Sequence, residues 1–158
     1  MRLLRFIIIS IVLLFTLITI FGLMIPSTVR ISKAIDVDAE ATEIFSIIRD
    51  TAQWKNWHPA FQKTETHSGL QEGLIIKEVV ANDSLLQMEM SKKEKNKLLN
   101  GWQIHTHPNS EVKTLQWYMD FKLRWYPWER FGSLFYENTY GIMMEQGLVN
   151  LKSLLSAK

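Results

Sequence analysis

Twenty consecutive residues, Phe6 to Ile25, carry no charge and are interrupted only by Ser10, Thr16, Thr19 and Gly22. As a helix this run is about 30 Å long, the thickness of a bilayer's hydrocarbon core. It can span, and no other feature restricts the chain so strongly. A cleaved secretory signal is the competing reading, with Arg2 and Arg5 as its basic leader. The run is longer than a signal core, however, and Leu23-Met24-Ile25-Pro26 offers no small-x-small cleavage site. The expectation is a single-pass membrane protein, with an uncleaved transmembrane anchor over residues 1–25 and one folded domain over residues 26–158. Flanking cations are nearly balanced, with Arg2, Arg5 and the terminal amine before the run and Arg30 and Lys33 after it. The wholly basic leader tips the expectation to a cytoplasmic N-terminus and a domain on the extracytoplasmic, periplasmic side.

Residues 26–158 hold sixteen basic and sixteen acidic side chains. Such a balanced domain lacks the clustered excess of Lys and Arg that nucleic-acid binding needs, so no nucleic-acid partner is expected. The one basic run, Lys92 to Lys97, reads as a solvated hairpin tip. With no cysteine in the chain, disulfides, thiolate zinc sites, a thiol nucleophile and a lipidated cysteine are excluded. About 130 residues suffice for one core and not for two.

Past Pro26, Val29, Ile31, Ile35 and Val37 alternate with polar residues, the pattern of a half-buried strand. Asp38 stands where a helix cap would, ahead of Ala41, Ile44, Phe45 and Ile48 at the spacing of one helical face, with the helix ending near Asp50. Trp54 to Pro59 reads as a tight turn that buries Trp54 and Trp57. Phe61 to Glu72 gives no firm period and reads mostly as loop. Strands follow over Leu74–Val80 and Leu85–Met90, joined through Ala81 to Ser84, and over Leu98–His107 and Val112–Trp125, joined through Pro108 to Ser110. In the last strand Leu115, Trp117, Met119, Phe121, Leu123 and Trp125 share one face, and Tyr118 points the other way. Trp102 and Ile104, and Leu86, Met88 and Met90, fall in phase with that apolar face. After Pro127 a helix of roughly 25 residues is expected, with Leu134, Ile142, Met144, Leu148, Leu151 and Leu155 as its apolar stripe and Gly132, Gly141 and Gly147 weakening it. This order predicts an α+β fold in which a curved antiparallel sheet wraps a long C-terminal helix.

The strand Val29–Val37, the following Asp38-Ala39-Glu40-Ala41-Thr42-Glu43-Ile44-Phe45, Asp50, and the Trp54-x-x-Trp57-x-Pro59 turn resemble the SRPBCC superfamily. So do Phe121 to Trp128 and Glu145 to Lys152 at the far end. This is the START-like, Bet v 1-like helix-grip fold of polyketide cyclases and lipid-transfer domains, and the preceding membrane helix resembles a bacterial branch of it. The similarity runs from Pro26 to Leu155. The usual domain has about six strands between its first and last helices, whereas four are evident here between Leu74 and Trp125.

No nucleophile elbow, phosphate loop, dinucleotide fingerprint or helical pair of metal-binding histidines occurs. His105 and His107 share a strand face opposite Trp102 and Ile104, hence the solvent face, and lack a third ligand; no metal or cofactor is expected. His58 is the one catalytic candidate, since it could titrate near neutrality, but with no orienting carboxylate in view it reads as a turn cap and no catalytic residue is assigned. From residue type the inward indoles and methionines form a dry core. The resemblance implies instead a cavity for a lipid or other small hydrophobic ligand, lined by Trp57, Met88, Met90, Trp102, Trp117, Met119 and Phe121. A non-catalytic ligand binder is the leading expectation. A cyclase- or dehydratase-like enzyme and a pocketless interaction protein are the alternatives.

Overall fold

The computed structural model describes residues 2–62, 74–92, 96–108, 110 and 112–157. The apolar run lies in α1, Arg2–Met24, a helix long and apolar enough to cross a membrane. Five strands follow in one antiparallel sheet: β1 Thr28–Val37, β2 Leu74–Ala81, β3 Leu85–Lys92, β4 Asn96–Thr106 and β5 Lys113–Lys122, in spatial order β1-β5-β4-β3-β2. Between β1 and β2 come α2, Ala41–Arg49, and the single turn α3, Trp54–Trp57. After β5 the chain is helical from Pro127 to Ser156, through α4, Pro127–Gly132, a 3-10 turn Ser133–Phe135, a π turn Glu137–Gly141, and α5, Ile142–Ser156. This is the expected α+β helix-grip arrangement, with four strands between the helices among the described residues. The expected loop from Phe61 to Glu72 and the tip of the basic run fall largely outside those residues.

Alternation sets the inner face. Ile31 lies opposite Met119 and Ile35 opposite Leu115, while Trp117 lies opposite Trp102 and Asn100 opposite Met88. At about 25 cal/mol per Å² of apolar surface removed from water, such side chains are the main source of stability. The turn after Ala81 forms because Asn82 Oδ1 accepts the backbone N–H groups of Ser84 (3.0 Å) and Leu85 (2.7 Å), an Asx turn closing the β2–β3 hairpin.

Several expectations need correction. Asp38 does not cap α2; Glu40 occupies the N-cap, without a side-chain cap bond. Leu134 and Ile142 are exposed: Ile142 lies about 200° round α5 from Met144 and so faces away from the buried Met144, Leu148 and Leu151, while Leu134 is separated from that face by a π turn, which changes the helical phase. Lys33 on the inner face of β1 reaches that turn and pairs with Glu137 at 2.8 Å. Trp125 is exposed, since the β5 ladder ends at Lys122, opposite Thr28, where β1 begins. Tyr118 keeps its outward direction yet is buried. Its ring lies over Gly101, under the Arg30 guanidinium (4.3 Å), and Gln87 Nε2 donates to its hydroxyl at 2.6 Å.

Candidate functional site

The concave face of the sheet carries the candidate residues. Trp117 stacks on Trp102, with centroids 5.7 Å apart, and receives the edge of Trp57 at the same separation. Trp54 packs against Trp57, Trp102, His58 and Phe61, so four fully buried indoles form one cluster. The α2–α3 turn delivers Trp54 and Trp57 from above: Trp54 Nε1 donates to the Ile48 carbonyl (2.7 Å), and the Trp57 carbonyl accepts from Asn150 of α5 (3.1 Å). Gly147 lets α5 close on this cluster, because a Cβ there would sit 2.8 Å from the Trp117 ring and 3.1 Å from Pro59.

Of the seven candidates, Trp57, Met88, Met90, Trp102, Trp117 and Met119 are buried on this face. Trp57, Trp102 and Trp117 touch. Asn100, which sequence reasoning missed, ties Met90 to them: Trp117 Nε1 donates to Asn100 Oδ1 (3.1 Å), and Asn100 Nδ2 donates to Met90 Sδ (3.3 Å). Met88 and Met119 flank Asn100 on the neighbouring strands. Phe121 is separate and half-buried, packing against Tyr136 and Tyr140. The Nε1 groups of Trp57 and Trp102 are buried with no acceptor among the described residues.

His58 is enclosed by Trp54, Trp57, Phe61 and Trp117. Its Nδ1 accepts the Ala60 backbone N–H (3.2 Å), which puts the proton of the neutral ring on Nε2. Burial pushes its pKa down to about 3. The expectation of titration near neutrality is therefore corrected, and His58 caps the Pro59 turn.

Where the indole cluster stops, towards the β2 edge, a cavity of about 370 Å³ opens, lined by Arg49, Thr51, Leu74, Ile76, Glu78 and Met88. Leu74, Ile76 and Met88 supply its apolar wall, and Arg49 and Glu78 pair at its rim at 3.0 Å. Met88 belongs to both the cavity and the interior. The missed signal was Glu78, a charge in phase with Leu74 and Ile76 on a strand face that is otherwise apolar. On the outer face His105 Nε2 lies 2.9 Å from Gln116 Oε1, and His107 Nε2 lies 3.1 Å from Thr114 Oγ1. Among the described residues no three His, Asp or Glu side chains come together as a metal site.

A family model described as polyketide cyclase / dehydrase and lipid transport matches residues 28–156. No curated protein matches the chain. Among solved structures, a Rhodobacter sphaeroides protein is similar at TM-score 0.57 and 16% identity, over 81% of this chain and 92% of that one. The protein XoxI from Bacillus cereus is similar at TM-score 0.50 and 14% identity, over 80% and 94%. The di-domain ARO/CYC StfQ from the steffimycin biosynthetic pathway is similar at TM-score 0.58 and 7% identity, over 82% of this chain and 51% of its own length. At these identities the likeness is one of fold.

Proposed function

The chain belongs to the polyketide cyclase/dehydrase and lipid transport family, and we propose that it is a membrane-anchored, non-catalytic binder of a lipid or other small hydrophobic molecule. The observation that carries this reading is the rim cavity. Its volume falls within the range of small-molecule sites, and three apolar side chains, Leu74, Ile76 and Met88, stand there beside three polar ones, Arg49, Thr51 and Glu78. Met88 places the cavity directly beside the buried methionines and indoles. Helix α1 would hold the cavity beside a reservoir of apolar ligand, with the domain on the extracytoplasmic side. His58 gives the cyclase-like alternative no support, because burial keeps its ring neutral near pH 7.

Native mass spectrometry supplies the test. The full chain, purified in detergent, stripped of lipid and incubated with a total membrane lipid extract, should retain an added hydrophobic mass. Met88→Trp, which fills the cavity wall, should lose it while the far-ultraviolet circular dichroism is unchanged. A chain that retains no added mass, or a Met88→Trp variant that retains as much as the wild type, removes the reading.

A further inference from the structure

A second surface lies beside the end of α1. Gly22, in its last turn, is buried against α4, and a Cβ there would meet Pro127 Cα at 3.4 Å and the Phe131 ring at 3.7 Å. Arg130 of α4 is also buried, donating from Nε to the Arg124 carbonyl (2.9 Å) and from Nη1 to the Ile25 carbonyl just past the helix end. A cation there suits the negative end of the helix dipole. The corner before α4 is fixed in turn by Glu129, which accepts from the Arg124 backbone (2.9 Å) and from its Nε (2.8 Å). Helix α4 is thus held at the depth where α1 ends.

Large apolar side chains on this segment are mostly exposed. Trp125, Trp128, Leu134 and Phe135 are 56%, 64%, 63% and 66% exposed. Tyr126 joins the two indoles, stacked on Trp128 and tilted against Trp125, each at 4.8 Å. A 23-residue helix is about 35 Å long, slightly more than the hydrocarbon core. Its last turn therefore emerges at the headgroup level, where Trp and Tyr concentrate because their rings are apolar and their N–H and O–H groups are polar.

We propose that Trp125, Tyr126 and Trp128 form an interfacial belt that inserts into the bilayer surface and lays the α4 side of the domain on the membrane. The partner is the lipid surface itself. The inference rests on α1 being a span, and the experiment separates the two. Of the six tryptophans in the chain, the other four are fully buried and α1 contains none. Fluorescence quenching by lipid therefore reports on Trp125 and Trp128.

The full chain is reconstituted into phosphatidylcholine vesicles whose acyl chains are or are not brominated near the headgroup, and the vesicles are floated on a density gradient. In the floated fraction, emission in brominated vesicles should fall by up to about one third, the share of two tryptophans in six. A Trp125→Phe, Trp128→Phe chain should float equally and lose that difference. Wild-type chain that floats with equal emission in both vesicles overturns the belt and leaves the anchor standing. A double variant quenched as much as the wild type overturns it too. A chain that does not float removes the anchor and the belt with it.

Discussion

Lowering the pH should destabilise this domain through His58 before its carboxylates take part. The imidazole is held neutral to about pH 3 in the folded state, while an unfolded histidine takes up its proton near pH 6.5. Between those values the unfolded chain binds more protons than the folded one. Stability is therefore fully present above about pH 6.5 and is lost progressively as the pH falls towards 3. The whole difference is on the order of 5 kcal/mol, and about half of it is lost between pH 7 and about pH 4.5. For a domain of about 130 residues that is a fall in melting temperature of about 9 °C.

The control is His58→Asn. Its Oδ1 can accept the Ala60 N–H in place of Nδ1, but it does not titrate. The variant loses ring contacts with Trp54 and Trp117 at every pH, so its curve is lower throughout. Carboxylates contribute alike to both proteins and cancel in the difference. Differential scanning calorimetry from pH 7 to about pH 4.5 should show the two melting temperatures converging as the pH falls. Parallel curves would mean that water reaches the imidazole and that the aromatic enclosure has been misread.

Gly147→Ala should lower the urea midpoint: overpacking against the Trp117 ring and Pro59 costs about 1 to 3 kcal/mol, more than the roughly 1 kcal/mol gained in helix propensity. Tyr118→Ala, at a position the alternation pattern marks as outward, should destabilise by about 3 kcal/mol in chemical denaturation, because the ring is covered by Arg30 and Gln87. Trp57→Phe and Trp102→Phe should change the stability of the ligand-free protein little, because relief of the unpaired N–H opposes the loss of ring volume, and should weaken retention of any ligand that brings an oxygen to those indoles, as read by native mass spectrometry.

The alternation of β5 and the phase of β3 and β4 were legible because a sheet has a strict period of two and one face must be apolar. The register followed: Trp117, Met119, Trp102 and Met88 fall where their spacing puts them. The C-terminal helix was legible as a helix but not in its facing, since nothing in Glu137 to Gly141 announces a π turn. Tyr118 shows a second limit. Periodicity gives direction, while burial depends on what neighbouring strands lay across the ring, here Arg30 from β1 and Gln87 from β3. The rim cavity escaped because it is made where α2 ends over the β2 edge, a tertiary meeting of Arg49 with Glu78 that no local pattern encodes. In the sequence Trp125 reads as the end of an apolar strand face and Trp128 as part of a family motif, and the exposure of both becomes meaningful only beside the end of α1.

Whether the interior is a core or a chamber turns on three indole N–H groups in one cluster. Asn100 satisfies Trp117, at the cost of placing an amide on an apolar face. Trp57 and Trp102 have no counterpart among the described residues. A buried donor left unpaired costs about 1 to 3 kcal/mol, so the pair together amount to about 2 to 6 kcal/mol, against a total stability for a domain of about 5 to 15 kcal/mol. Phenylalanine would remove that deficit but lose ring volume from a fully buried site, and the two effects oppose each other. The deficit disappears if an acceptor enters, and a hydrophobic molecule with a carbonyl or carboxylate oxygen supplies one. In the Trp→Phe variants, ligand retention is therefore expected to fall while stability changes little. A dry core predicts no change in retention.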